Sequence, residues 1–160
     1  MNTRAILLLL VLPAMAFSQQ KNSFAFPDKV GDFMLRNFTT RHLQHYDDKT
    51  RVHYTNMQAV YFDGETDSLW VFVSRFDDKS HATTMVANMQ KNVKMEMAGY
   101  SNFQQKKLHG LPLNAAKANN LSHYFFQSGR DIFWLTGDEK QMDNFVHQFL
   151  AATGLVEMKL

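Results

Sequence analysis

Along this chain the spacing of apolar residues switches from a period of two to one near 3.6, and then makes the same switch again. Phe33 to Arg41 alternates through Phe33 and Leu35, which predicts a strand with one wet face. Asp47, Asp48 and Lys49 mark a turn, and Arg51 to Tyr54 reads as a short second strand through Val52 and Tyr54. Ala59 to Phe62 and Leu69 to Phe76 are apolar, β-branched and aromatic runs joined by the polar loop Asp63 to Ser68, the pattern of a hairpin. Beyond Phe76, the residues Ala82, Met85, Val86, Met89, Val93 and Met97 fall at helical offsets, with Asp78 or Ser80 placed to cap the start and Gly99 to end the helix. Burying such a stripe is worth on the order of 10 kcal/mol before entropy. It therefore reads as a core face.

The second half follows the same plan. Phe103 to Leu108 is a strand, Gly110 to Pro112 a turn, and Leu113 to Lys117 a segment whose alanines leave strand and helix both open. Leu121 to Phe126 and Ile132 to Thr136 form a second hairpin across Ser128 and Gly129. Asp138 with Gln141 makes a capping box, and Met142, Phe145, Val146, Phe149 and Leu150 then occupy one helical face before Gly154. Tyr61 to Met97 and Tyr124 to Gly154 thus share the order strand, Gly-containing turn, Trp-bearing strand, capped helix. The expected fold is α+β: an antiparallel sheet of about six to seven strands with two amphipathic helices, arranged as two β-β-α units. Either a duplication or a common supersecondary pattern accounts for the parallel.

Phe26, Pro27, Val30, Gly31 and Phe33, the aromatic strand before the helix with Ala82, and the strand pair Phe126, Gly129, Ile132, Trp134 before the last helix resemble the PsbP-like α+β domains. They are equally similar to several exported bacterial domains of that plan. The resemblance implies a sandwich of sheet and helices and a binding or assembly role without catalysis. It carries no functional residue with it.

Ahead of the periodic region the chain has a different character. Met1 to Arg4 is short and positive, Ala5 to Leu12 is unbroken apolar, and Pro13 precedes a small-x-small site at Ala14 to Ala16. These are the parts of a secretory signal peptide over residues 1–18, with cleavage after Ala16 or Ser18. The apolar run is interrupted too early for a permanent membrane anchor, which needs about 18 or more residues. Residues 19–23 read as a flexible polar segment, 24–154 as a single domain and 155–160 as a tail. The location expected is periplasmic or extracellular.

Composition narrows the chemistry. With 45% hydrophobic and 13% aromatic residues in 160, disorder of the whole chain is excluded. Lys and Arg number 17 against 15 Asp and Glu, without the basic stripe that nucleic acid requires. There is no Cys, which excludes disulfides, thiolate metal sites and a Cys nucleophile. Ser80 with His81 and Ser122 with His123 are adjacent, but neighbouring side chains diverge, and neither a nucleophile elbow, a zinc-protease motif nor a Gly-rich phosphate loop occurs.

Two constellations remain. His42, His45 and His53 could gather a copper or zinc ion, and Met95 with Met97 forms a Met-x-Met pair of the kind soft copper sites use; solvated histidines and a core methionine are the simpler account. Tyr61, Trp70, Phe72, Phe133 and Trp134 could line a sheet face that two helices only partly cover, offering a surface to a small ligand or an envelope protein. The leading expectation is a non-enzymatic exported binding domain with no cofactor. A periplasmic metal-binding protein and a small hydrolase are the alternatives.

Overall fold

The computed structural model describes residues 24–47, 50–65 and 68–156. Residues 1–23, on which the expected leader and flexible segment fall, Asp48 and Lys49 of the expected first turn, Thr66 and Asp67 of the expected hairpin loop, and residues 157–160 lie outside the described residues. The chain runs β1 (Lys29–Val30), β2 (Phe33–Asp47), β3 (Thr50–Phe62), β4 (Ser68–Phe76), α1 (Lys79–Lys94), a 3-10 turn (Met97–Gly99), β5 (Ser101–Leu108), β6 (Leu111–Ala118), β7 (Leu121–Ser128), β8 (Asp131–Asp138) and α2 (Glu139–Ala152). All neighbouring strands are antiparallel, in the order β1-β2-β3-β4-β8-β7-β6-β5.

This corrects the expected fold in strand number and grouping. The sheet has eight strands and curls into a half-barrel, and each half consists of four strands followed by one helix, not of a β-β-α unit. The segments Arg51–Tyr54 and Ala59–Phe62 are parts of one strand, β3. Thr55, Asn56 and Gln58 break the apolar pattern between them, yet they are paired with β2 across His42, Arg41 and Thr39 respectively, and ladder hydrogen bonds do not depend on side-chain polarity. The alanines of β6 sit in a strand because β5 and β7 pair with it on either side. At two residues, β1 is too short to leave a periodic signal.

Alternation along each strand sends side chains to two faces. On one face Met57, Ala59 and Tyr61 of β3, Leu69, Val71 and Val73 of β4, and Phe133 and Leu135 of β8 pack against the helix α2 stripe Met142, Phe145, Val146, Phe149 and Leu150. That stripe is at most 1% exposed, as its spacing predicts. Asp138 caps the helix, its carboxylate accepting from the Lys140 amide at 2.9 Å. Close packing needs Gly137: a Cβ there would lie 1.9 Å from Leu69 Cδ2. The N-terminal segment is held by the same core, with Phe24 edge-on to Phe133 at 5.2 Å and the Tyr61 hydroxyl donating to the Pro27 carbonyl at 2.8 Å.

Helix α1 lies on the other face. Asp78 caps it through the His81 amide at 2.9 Å, and Ala82 and Val86 pack on Val52, Phe76 and Ile132, with Met85 and Met89 half-buried beside them. The helix ends a turn earlier than Gly99 would suggest. Glu96 adopts a left-handed conformation (φ 54°), and its amide closes on the Val93 carbonyl. The chain then leaves the helical path, so Met97 is 49% exposed and does not belong to the core stripe.

The halves meet where β4 pairs with β8, from Trp70↔Thr136 to Arg75↔Asp131. At the end of this seam Arg75 forms a two-pronged ion pair with Asp131, Nε to Oδ1 and Nη2 to Oδ2 both at 2.7 Å, with side chains 19% and 13% exposed. The carboxylate raises the guanidinium pKa above its ordinary value through this hydrogen bond. Replacing Arg75 by Met keeps most of the volume but leaves Asp131 without its main counter-charge. The expected loss is about 2–3 kcal/mol, read by urea denaturation; a change within a few tenths would show that the pair does not hold the seam.

Candidate functional site

The five aromatic candidates divide between the two faces. Tyr61 and Phe133 are fully buried in the core under α2. Burial, and secondarily Asp28, pushes the Tyr61 hydroxyl pKa up, so it stays a protonated donor to Pro27. Trp70, Phe72 and Trp134 share the α1 face. Phe72 stands directly across from Trp134, and Trp70 across from Thr136. Helix α1 reaches Trp134 but stops short of the rest: Trp134 belongs to the cluster of Val93, Ala116 and Phe125, whereas the half-buried Trp70 and Phe72 belong to no packed cluster of either helix among the described residues. Phe62, half-buried on the same face, carries Arg36 over its ring at 5.1 Å.

Around Trp134 the aromatic packing is dense. Its ring stacks on Phe125 at 4.9 Å and meets Tyr100 and His123 edge-on at 5.7 Å. Trp Nε1 only donates, so its 3.2 Å contact makes His123 Nδ1 an acceptor. The proton is then on Nε2, which faces the Ala118 carbonyl at 3.4 Å. Burial holds the imidazole pKa below its ordinary value. Next to it in register, Thr136 is 8% exposed, and its hydroxyl has no protein hydrogen-bond partner among the described residues. Such a hydroxyl costs about 1–3 kcal/mol if left unsatisfied. The sequence signals for Tyr100 and Thr136 were ordinary strand and turn residues. His123 stood out only as the neighbour of Ser122, which points to the opposite face.

The histidine and methionine candidates are dispersed. His42 is exposed on β2, with Nδ1 3.2 Å from the Thr55 hydroxyl. His53 sits across from Gln44, diagonal to His42 on the same face. The backbone of His45 pairs with Val52, and its side chain lies outside the described residues. Met95 is 62% exposed at the end of α1, and Met97 follows beyond the left-handed Glu96. Among the described residues no three His, Cys, Asp or Glu side chains converge as a metal group.

A polar cleft that sequence patterns did not reveal lies on the other face, between α2 and β5 to β7. It has a volume of about 260 Å³, with Lys106, Lys117, Ser122, Tyr124, Glu139 and Asp143 among its walls and Ala115 in its floor. Lys106 Nζ donates to the Tyr124 hydroxyl at 3.3 Å, that hydroxyl donates to Asp143, and Lys117 pairs with Glu139 at 2.5 Å. Burial first, and then Asp143, raise the Tyr124 pKa, which keeps the hydroxyl protonated at neutral pH. Lys106, Tyr124 and Asp143 thus form one paired group in the cleft, and Lys117 with Glu139 another.

Comparison with known proteins gives the fold and little more. No family model matches the chain, and no curated protein matches it. A solved structure of a GTP binding regulator from Thermotoga maritima is similar at 13% identity, over 79% of this chain and 82% of that one, with a TM-score of 0.50. At that identity the likeness concerns the path of the backbone alone.

The His123 geometry has a measurable consequence. The folded chain takes up this proton less readily than the unfolded chain, so its contribution to stability is whole above the ordinary imidazole range and is lost as the pH falls below about 6.5. Melting temperatures between neutral and mildly acidic pH should fall more steeply for the wild type than for His123→Asn. Parallel slopes would place the acid sensitivity elsewhere.

Proposed function

We propose that this chain is an exported, non-enzymatic binding module of the cell envelope, and that it binds through the α1 side of the sheet at Trp70, Phe72 and Trp134. The observation that carries this reading is the incomplete cover of that face. An aromatic row continues from the packed Trp134 cluster onto Phe72 and Trp70, where no helix follows it. Large rings left half-open on a rigid sheet provide contact area at low entropic cost. A GTP binding regulator shares this backbone path, which is a precedent for binding on such a fold.

Export rests on the leader alone. N-terminal sequencing of the protein recovered from the envelope fraction of an expressing bacterium should begin at Phe17 or Gln19. An intact Met1 in the membrane fraction would overturn this part of the proposal.

The face itself is open to test with an anilinonaphthalene-sulfonate dye as an apolar aromatic probe. Dye fluorescence should rise on binding to the folded protein, fall at least several-fold in Trp70→Ser/Phe72→Ser, and stay unchanged in Phe38→Ser, whose ring is exposed elsewhere. Circular dichroism confirms that each variant is folded. Equal dye binding by all three folded proteins would rule out this face as the binding surface.

A further inference from the structure

The two outer edges of the sheet are finished differently. At one edge β5 carries Lys106 and Lys107 and a register shift between Ser101 and Gln104, devices that keep an open strand from pairing with another chain. At the other edge β1 covers only Phe33 and Met34, and the Leu35 amide is taken by the Asp28 carbonyl at 2.8 Å. From Asn37 to Gln44 strand β2 then runs in unbroken register with β3 and has no β-neighbour on its far side among the described residues. Every one of these eight residues is exposed, and the stretch contains no Lys, Pro or bulge. Phe38 and Leu43, on opposite faces, are 60% and 40% exposed. A long edge of regular register with exposed apolar side chains is a template for strand addition.

We infer that this edge pairs with the same edge of a second copy of the chain, antiparallel about a two-fold axis at Thr40, which joins two sheets into one. In such a pair, facing residues must lie on the same side of the sheet, so only registers related by two residues are allowed. An axis at Arg41 would set two guanidinium groups against each other. The axis at Thr40 uses the stretch from Asn37 to Leu43 and sets Arg41 opposite the hydroxyl of Thr39, Asn37 opposite Leu43, and the Phe38 ring opposite the His42 imidazole, with Gln44 falling opposite Arg36. No like charges face each other, and the exposed aromatic ring gains a planar partner. An unrelated peptide would have to supply these complements by chance, whereas a second copy supplies each of them twice by symmetry.

The chain from Gln19 onward retains every residue of the described fold and serves for the test. Light scattering across a concentration series should show the mass rising to twice that of one chain. Thr40→Lys should remain monomeric over the same range with an unchanged circular dichroism spectrum, since Thr40 is exposed. The chain is free of cysteine, so a single introduced thiol reports directly on register. Opposed residues on paired strands have Cα atoms roughly 4.5–5.5 Å apart, within reach of a disulfide. Thr40→Cys should oxidise to a covalent dimer, and Gln105→Cys on the protected edge should not. A wild type that stays monomeric at every concentration, or equal cross-linking of the two Cys variants, would overturn the inference.

Discussion

The antiparallel pairing of β4 with β8 is the contact on which the rest of this molecule depends. Each half of the chain is a meander of four strands closed by a helix, and such a meander has only one face's worth of apolar cover of its own. Pairing the two last strands places Val71 beside Leu135 and Val73 beside Phe133, giving α2 an unbroken floor drawn from both halves. The same pairing builds the floor for α1 from Phe76 of one half and Ile132 of the other. Neither helix could be seated by its own half alone. The contact closes a long loop, since Arg75 and Asp131 are 56 residues apart, so its entropy cost is repaid only when both faces pack together.

The two helices seat with unequal completeness, and their side chains explain the difference. Helix α2 presents Met142, Phe145 and Phe149, large groups that fill the space between helix and sheet. The buried residues of α1 are Ala82, Val86 and Val93. Small side chains let that helix sit close, but they spread over little of the sheet. Trp70 and Phe72 lie beyond its reach, while Trp134 falls within it. The open aromatic row follows from a short-armed helix on a wide sheet, and so does the local arrangement around His123, where a buried imidazole is fixed in one tautomer by an indole donor.

The edges show a comparable asymmetry. The sheet is curled rather than closed into a barrel, so two edges remain. One is guarded by lysines and a bulge, and the other is left regular beyond the short cover of β1, with Phe38 and Leu43 exposed on it. Closure would have removed both edges. A protein that leaves one edge unguarded exposes a row of backbone donors and acceptors there, and the side chains along β2, Arg41 and Phe38 among them, bias what can pair with them.

What the sequence determined by itself is the local structure: the capped stripe of α2, the two hairpins whose second strands carry Trp70 and Trp134, and the cap of α1 at Asp78. These are set by residues within a few positions of one another, where periodicity and turn chemistry act directly. The tertiary structure decided what depends on distant partners. It merged two apparent strands into β3 because β2 pairs along its whole length, made a strand of the alanine-rich β6, and seated β1 on a two-residue signal. It also grouped the strands in fours, sent Tyr61 and Phe133 to one face and Trp70, Phe72 and Trp134 to the other, and turned Met97 out of the core through the left-handed Glu96. Local spacing records which side chains alternate, but only the pairing of strands far apart in the chain determines which face each helix covers.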